Sequence, residues 1–243
     1  EGQFLYSLSG VVRDSGTQID HVDNKRYNIA PSLTWNINDD TSFTLLTQFT
    51  RDDTGITSQF LPVQGTKIDM PFGKVSHHKN LGDPDWEYYD RTYYALGYAF
   101  EHRLNDVWQF KQNLRYTKSD LSFQGLTVGS YPSTQVDNEG NVGRTSTIVD
   151  EDISQFAVDN NFQADSATGD VRHTLLLGLD HQRSNTNYTS IFGDGLTTNV
   201  NNPIYGQPIV RPPRSTAFYD YNQKTFQTGL YVQDQIKWDK WAL

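Results

Sequence analysis

The chain has no cysteine and only six histidines among 243 residues. Any metal or acid–base chemistry must therefore come from imidazole and carboxylate groups. The most suggestive arrangement is VRHTLLLGLDHQR, residues 171–183, where His173 and His181 bracket a leucine-rich run and Asp180 adjoins the second histidine. On an extended strand, at ~3.3 Å per residue, the two histidine Cα atoms are ~26 Å apart. Zinc holds its ligands at ~2 Å, so this pair cannot share an ion within one strand. Strand alternation instead puts His173, Leu175, Leu177, Leu179 and His181 on one face, an apolar stripe with an amphipathic residue at each end.

The other candidates are weaker. His77-His78 has Asp83 and Asp85 nearby, but adjacent histidines on an extended chain point apart, which favours a polar loop. Asp150-Glu151-Asp152 and Asp52-Asp53 read as solvated acidic rims at strand ends, because the ligand order of an EF-hand loop is missing. The sequence contains no G-x-S-x-G elbow, P-loop, dinucleotide-binding glycine pattern or H-E-x-x-H. We expect no enzyme, no metal centre and no intrinsic cofactor. The net charge of -9 and a pI near 5.0 argue against nucleic acid or an anionic lipid surface as the main partner.

The elements that must carry these residues are strands. Mean hydropathy is -0.67, and no stretch approaches the ~18 apolar residues of a spanning helix. Yet 13% of residues are aromatic, as expected where polar and apolar residues alternate. Thr92, Tyr94, Leu96, Tyr98 and Phe100 share one face of TYYALGYAF. Trp108, Phe110, Leu114 and Tyr116 share one face of VWQFKQNLRYT, with Gln109, Lys111, Asn113, Arg115 and Thr117 opposite. Phe156, Val158, Phe162 and Ala164 oppose Ala157, Asp159, Asn161 and Gln163.

This pattern predicts eight strands, at 3–14, 25–37, 41–52, 88–103, 107–120, 150–165, 171–186 and 224–238, and a ninth beginning at Trp241. They exceed the ~5–6 residues usual in soluble sheets, whereas ~9–11 suffice to cross a bilayer obliquely. Short turns (38–40, 105–106, 166–170, 239–240) alternate with long connections (15–24, 53–87, 121–149, 187–223). Outer-membrane β-barrels have this arrangement, with short periplasmic turns and longer extracellular loops. The His173–His181 stripe, tilted ~45°, rises ~19 Å and fits the ~25 Å apolar band of such barrels. The fold class predicted is therefore all-β, an antiparallel transmembrane barrel. Loops of this length are expected to carry ligand recognition.

Three stretches add a family resemblance. RYNIAPSLTWNINDDTSFTLLTQFTRDDTG (26–55) resembles the early barrel of TonB-dependent siderophore receptors, in Pro31, Trp35, Asp39-Asp40 and Thr41-Ser42. GDVRHTLLLGLDHQR (169–183) resembles a hairpin of the same family, in Gly169, His173, Leu175, Leu176, Gly178 and Asp180. TGLYVQDQIKWDKWAL (228–243) resembles its strand with Tyr231, Val232, Gln233 and Asp234. The likeness is to receptors for hydroxamate siderophores, the ferrichrome and ferrioxamine group.

The resemblance implies a 22-stranded barrel of which this chain is a partial segment of about eight or nine strands, without the plug domain, the TonB-contacting segment or the C-terminal strands. It implies a receptor in the bacterial outer membrane that imports a ferric siderophore with energy from TonB. It further implies contact with lipopolysaccharide, and loops open to phage or bacteriocin. For ligand contact it points to Gln59 and Phe60 in TGITSQFLP, Phe123 and Tyr131 in SFQGLTVGSY, and Phe192 in SIFGDG. Aromatic rings form a rigid apolar cradle, suited to a complex whose iron is already fully coordinated. The alternatives are a porin or closed eight-stranded barrel serving as channel, adhesin or enzyme, and a soluble β-sandwich.

Overall fold

In a computed structural model that describes residues 3–58, 60–129 and 135–242, nine antiparallel strands form one sheet in strict chain order. They are β1 (Phe4–Gly16), β2 (Asp23–Asn38), β3 (Thr41–Thr54), β4 (Tyr88–Arg103), β5 (Trp108–Val128), β6 (Asn141–Thr168), β7 (Val171–Asn199), β8 (Tyr219–Trp238) and β9 (Trp241–Ala242). One 3-10 turn, Arg214–Thr216, precedes β8. All nine expected strands are present, and the sheet is the all-β antiparallel fold predicted.

The tight turns form at one end because each contains residues suited to them. Asp40 N–H donates to Asn38 Oδ1, and the amides of Val107 and Trp108 both donate to Asn105 Oδ1. Gly169 and Asp239 adopt positive φ, 62° and 51°, which Gly tolerates freely and Asp better than most residues.

At the other end the structure corrects the sequence reading. β5, β6 and β7 run for 21, 28 and 29 residues. Residues 121–128, 141–149 and 187–199, expected in loops, are strand. The reason is burial of polar groups. Val142, Arg144, Ser146 and Ile148 are alternate buried positions on β6, so period two persists while hydropathy conceals it. They are covered by the connection from β3 to β4 and by the segment before β8. Val75 and Leu81 pack with Val136, Val142 and Val200, and a Cβ on Gly193 would meet Pro212.

Cross-strand partners share a face, so register defines two surfaces. One row runs Tyr6, Leu33, Leu45, Tyr98, Leu114, Val158, His181, Thr228. The adjacent row runs Leu5, Thr34, Thr44, Ala99, Asn113, Asp159, Asp180, Gly229. The second face lines a hollow of about 430 Å³ that reaches from Ala30 on β2, past Gln48, Ala95 and Asn113, to Asp180 on β7. A hollow touching six successive strands requires the sheet to curve around it, so this polar face is the inner one.

The outer face carries two aromatic rows. Toward the tight turns Phe43 stacks with Tyr98, and Phe110 packs between Phe100 and Phe162. Toward the long connections Phe49 packs on Tyr94, in line with Tyr116 and Phe156. Phe43 and Phe49 are ~20 Å apart along β3, the arrangement of the aromatic girdles that flank a barrel's apolar band. Polar groups at the level of the row near the tight turns satisfy one another. Tyr98 Oη donates to Gln112 Oε1 at 2.6 Å, and Gln112 donates to Asn160.

The residues that opened the sequence reading belong to this outer face. Leu175, Leu177 and Leu179 lie between the two histidines. His173 Nδ1 pairs with Asp234 at 2.9 Å and His181 Nδ1 with Thr228 at 2.9 Å. Each histidine thus has its own partner on β8.

Candidate ligand-binding site

The strongest constellation lies on the inner face, at the end where the connections are long. Arg26 on β2, Asp52 on β3 and Arg91 on β4 form one cross-strand row. Arg26 Nε donates to Asp52 Oδ1. Arg91 Nη2 lies 2.9 Å from Oδ2 and Arg91 Nε 3.0 Å from it. The Asp52 side chain is only 3% exposed, whereas those of Arg26 and Arg91 are 43% and 35% exposed. The expectation of a solvated Asp52 is therefore corrected. Its charge is buried because two guanidinium groups neutralise it.

The row floors a hollow of about 520 Å³ walled by Ile56, Phe60, Tyr89 and Phe123. Tyr89 and Phe123 are direct partners across β4 and β5. Gly125 leaves room for the Phe123 ring, since a Cβ there would sit 2.8 Å from Cζ. Phe60 is 67% exposed and projects from the connection onto the same opening. The result is a rigid aromatic wall beside exposed hydrogen-bond donors, able to hold a bulky chelate by apolar contact and by its peripheral oxygens.

The structure brings Phe60 and Phe123 together, as two of the predicted contacts. Phe192 shares the inner face but does not line this hollow. It lies across β6, edge-on to Phe218 at 5.8 Å, with Phe218 in turn edge-on to Tyr219 at 4.6 Å. Phe123 and Phe192 are both in strands rather than loops. Gln59 and Tyr131 lie outside the described residues. Sequence reading missed the Arg26–Asp52–Arg91 row and Tyr89. Only register aligns three charges separated by 26 and 39 residues.

A second cluster holds the β3–β4 connection in place. The Arg144 guanidinium is fully buried. It donates to Leu81 O at 3.3 Å, Gly82 O at 2.7 Å, Gly195 O at 3.1 Å, Leu196 O at 3.3 Å and Gln207 Oε1. Asp83 accepts from the amides of Gly206 and Gln207. Glu87 Oε1 accepts from Leu126 N–H at 2.7 Å. Burial pushes the Glu87 carboxyl up to about 7, against the pull of that amide and of Arg144.

Asp83 is therefore a structural acceptor. His78 Nδ1 bonds Gln18 O at 2.7 Å, with His77 packed on its ring. Asp150 pairs with Arg211 and Asp152 with Lys118. Among the described residues, no group of three or more His, Asp or Glu gathers around a common point.

The nine-stranded antiparallel sheet agrees with what the chain is similar to. Residues 30–243 match the family described as TonB dependent receptor-like, beta-barrel. The chain belongs to that family, which consists of transport receptors rather than enzymes.

It is 32% identical over 234 residues to the Ferrioxamine B receptor of Salmonella typhimurium (strain SL1344), covering 96% of this chain and 32% of that protein. It is 34% identical over 260 residues to the Ferrichrome outer membrane transporter/phage receptor of Escherichia coli (strain K12), covering 99% of this chain and 34% of that protein. The chain thus spans about a third of the length of these relatives. In three dimensions it superposes on the Ferric-Catecholate import receptor Fiu of Escherichia coli K12 with a TM-score of 0.83 at 19% identity, covering 98% of this chain and 35% of that one. The FpvAI-pyocin S2 complex gives 0.78 at 17% identity, covering 96% and 31%.

Proposed function

We propose that this chain is part of the wall of an outer-membrane receptor that imports a ferric hydroxamate siderophore, driven through TonB. The observation that carries the reading is the inner-face hollow, where Phe60, Tyr89 and Phe123 stand beside the exposed edges of Arg26 and Arg91. An iron already wrapped by its chelator needs shape, apolar contact and hydrogen-bond donors from the protein, and no metal ligand. The hydroxamate class rests on the ferrioxamine and ferrichrome relatives at 32–34% identity. The catecholate receptor shares the fold at lower identity.

In this reading the sheet continues laterally beyond β1 and β8–β9, where nearly all residues are exposed, into further strands. A plug domain fills the inner side, and the outer aromatic rows lie at the borders of the lipid. Lipopolysaccharide meets the outer face above Tyr94 and Tyr116, and the long connections are open to phage or bacteriocin.

The test is ligand binding by the intact receptor that contains this chain, followed by quenching of intrinsic fluorescence. Phe60→Ala and Phe123→Ala each weaken a ferric hydroxamate about tenfold, the loss of one well-packed aromatic contact. Growth of an iron-starved strain lacking its own receptors, supplied with ferric hydroxamates or ferric catecholates, checks the class. Growth on catecholates alone overturns it.

A further inference from the structure

We propose that the Arg26–Asp52–Arg91 row is a charge filter, so that the hollow accepts neutral or anionic ferric chelates and discriminates against those bearing a free ammonium group. The inference rests on the reading of the hollow as the chelate site and concerns which member of the class it takes.

Among the described residues, the charged ones lining the hollow are Arg26, Asp52 and Arg91. Two cations face one anion, leaving one positive charge uncompensated in a chain whose net charge is -9. What a ligand meets is more positive still. Both Asp52 oxygens are occupied, Oδ1 by Arg26 and Oδ2 by Arg91. At 3% exposure the carboxylate cannot reach a ligand, whereas the guanidinium groups at 43% and 35% present their remaining N–H donors.

Guanidinium donors suit the carbonyl, hydroxamate or carboxylate oxygens of a chelate. They offer nothing to an ammonium, and a like charge entering a partly desolvated mouth is repelled more strongly than in bulk water. The aromatic walls do not restore affinity for a cation, because Tyr89 and Phe123 share the hollow with these guanidiniums. A compact neutral ferrichrome-type complex fits this surface. A linear chelate ending in a free amine fits only with its tail directed away.

The experiment uses the intact receptor and one linear ferric trihydroxamate whose terminal amine is left free, acetylated or succinylated. The probes are then cationic, neutral and anionic around the same iron core. We expect the cationic form to bind about tenfold more weakly than the neutral form, with the anionic form at least as tight as the neutral one. Arg91→Gln leaves Asp52 paired with Arg26, so the fold keeps its buried ion pair while the surplus charge disappears, and the three affinities converge. Arg91→Lys retains the order. Equal binding of all three forms by the unmodified receptor, or tightest binding of the cationic form, overturns the filter and leaves the hydroxamate reading intact. Failure of all three to bind overturns that reading and the filter with it.

Discussion

Leu126 donates its backbone N–H to Glu87 Oε1 at 2.7 Å, while Glu87 Oε2, equally buried, has no hydrogen-bond partner among the described residues. A half-satisfied buried carboxylate favours its protonated form, and burial raises its pKa from an ordinary 4.5 to about 7. Its contribution to stability is therefore complete below about pH 4.5, declines as pH rises toward 7 and is absent above it. The difference across that window is on the order of 3 kcal/mol. Hydrogen exchange at the amides of Leu126 and Gly82, corrected for intrinsic rates, should be faster at pH 8 than at pH 5. Glu87→Gln should flatten the dependence. Equal protection at both pH values in the unmodified protein would refute the assignment.

Arg144 ties residues on three segments through its planar fork. Arg144→Met keeps most of the volume but leaves the carbonyls of Gly82 and Gly195 without donors. We expect a loss of about 3 kcal/mol or more, confined to the β3–β4 connection and the segment before β8. Limited proteolysis should then cut near residues 61–80 many-fold faster. Arg144→Lys should rescue only a fraction, because one ammonium cannot span five acceptors.

Gly97 marks a close approach between β4 and β5. A Cβ at this position would sit 2.5 Å from Leu114 O, a backbone atom that cannot swing aside. Gly97→Val should separate the strands and lower the yield of folded barrel, read as loss of heat-modifiable migration on a gel. Gly178→Ala is the milder counterpart. Its added methyl would meet the Tyr231 ring, which can rotate at the expense of its hydrogen bond to Asp159.

Leu177 sits on the outer face between Phe162 and Val232. In a membrane-embedded barrel, Leu177→Arg should cost ~2–4 kcal/mol. Gln163→Arg, on the inner face one residue from Phe162 and not buried, should cost much less. Folding of both variants into lipid vesicles checks the assignment of faces. Similar penalties for the two would mean that the outer face does not contact lipid.

The strands, their order and their faces were legible from residue order, because alternation is local. A side chain's face depends only on parity, and tight turns announce themselves through Asn, Asp and Gly. The same logic located Leu175, Leu177 and Leu179 on one stripe and excluded a shared metal between His173 and His181. Phe60 and Phe123 were selected by the family likeness, not by alternation.

Tertiary structure decided the rest, for two physical reasons. A polar residue reads as solvent-exposed until another segment covers it. Residues 141–149 looked like loop because nothing local foretells that Leu81, Gly82 and Gln207 will bury Arg144. Long-range pairing likewise depends on register, which is a property of two strands together. Arg26, Asp52 and Arg91 are unremarkable in separate stretches of sequence. They become one row, with its surplus charge facing an aromatic hollow, only when β2, β3 and β4 align.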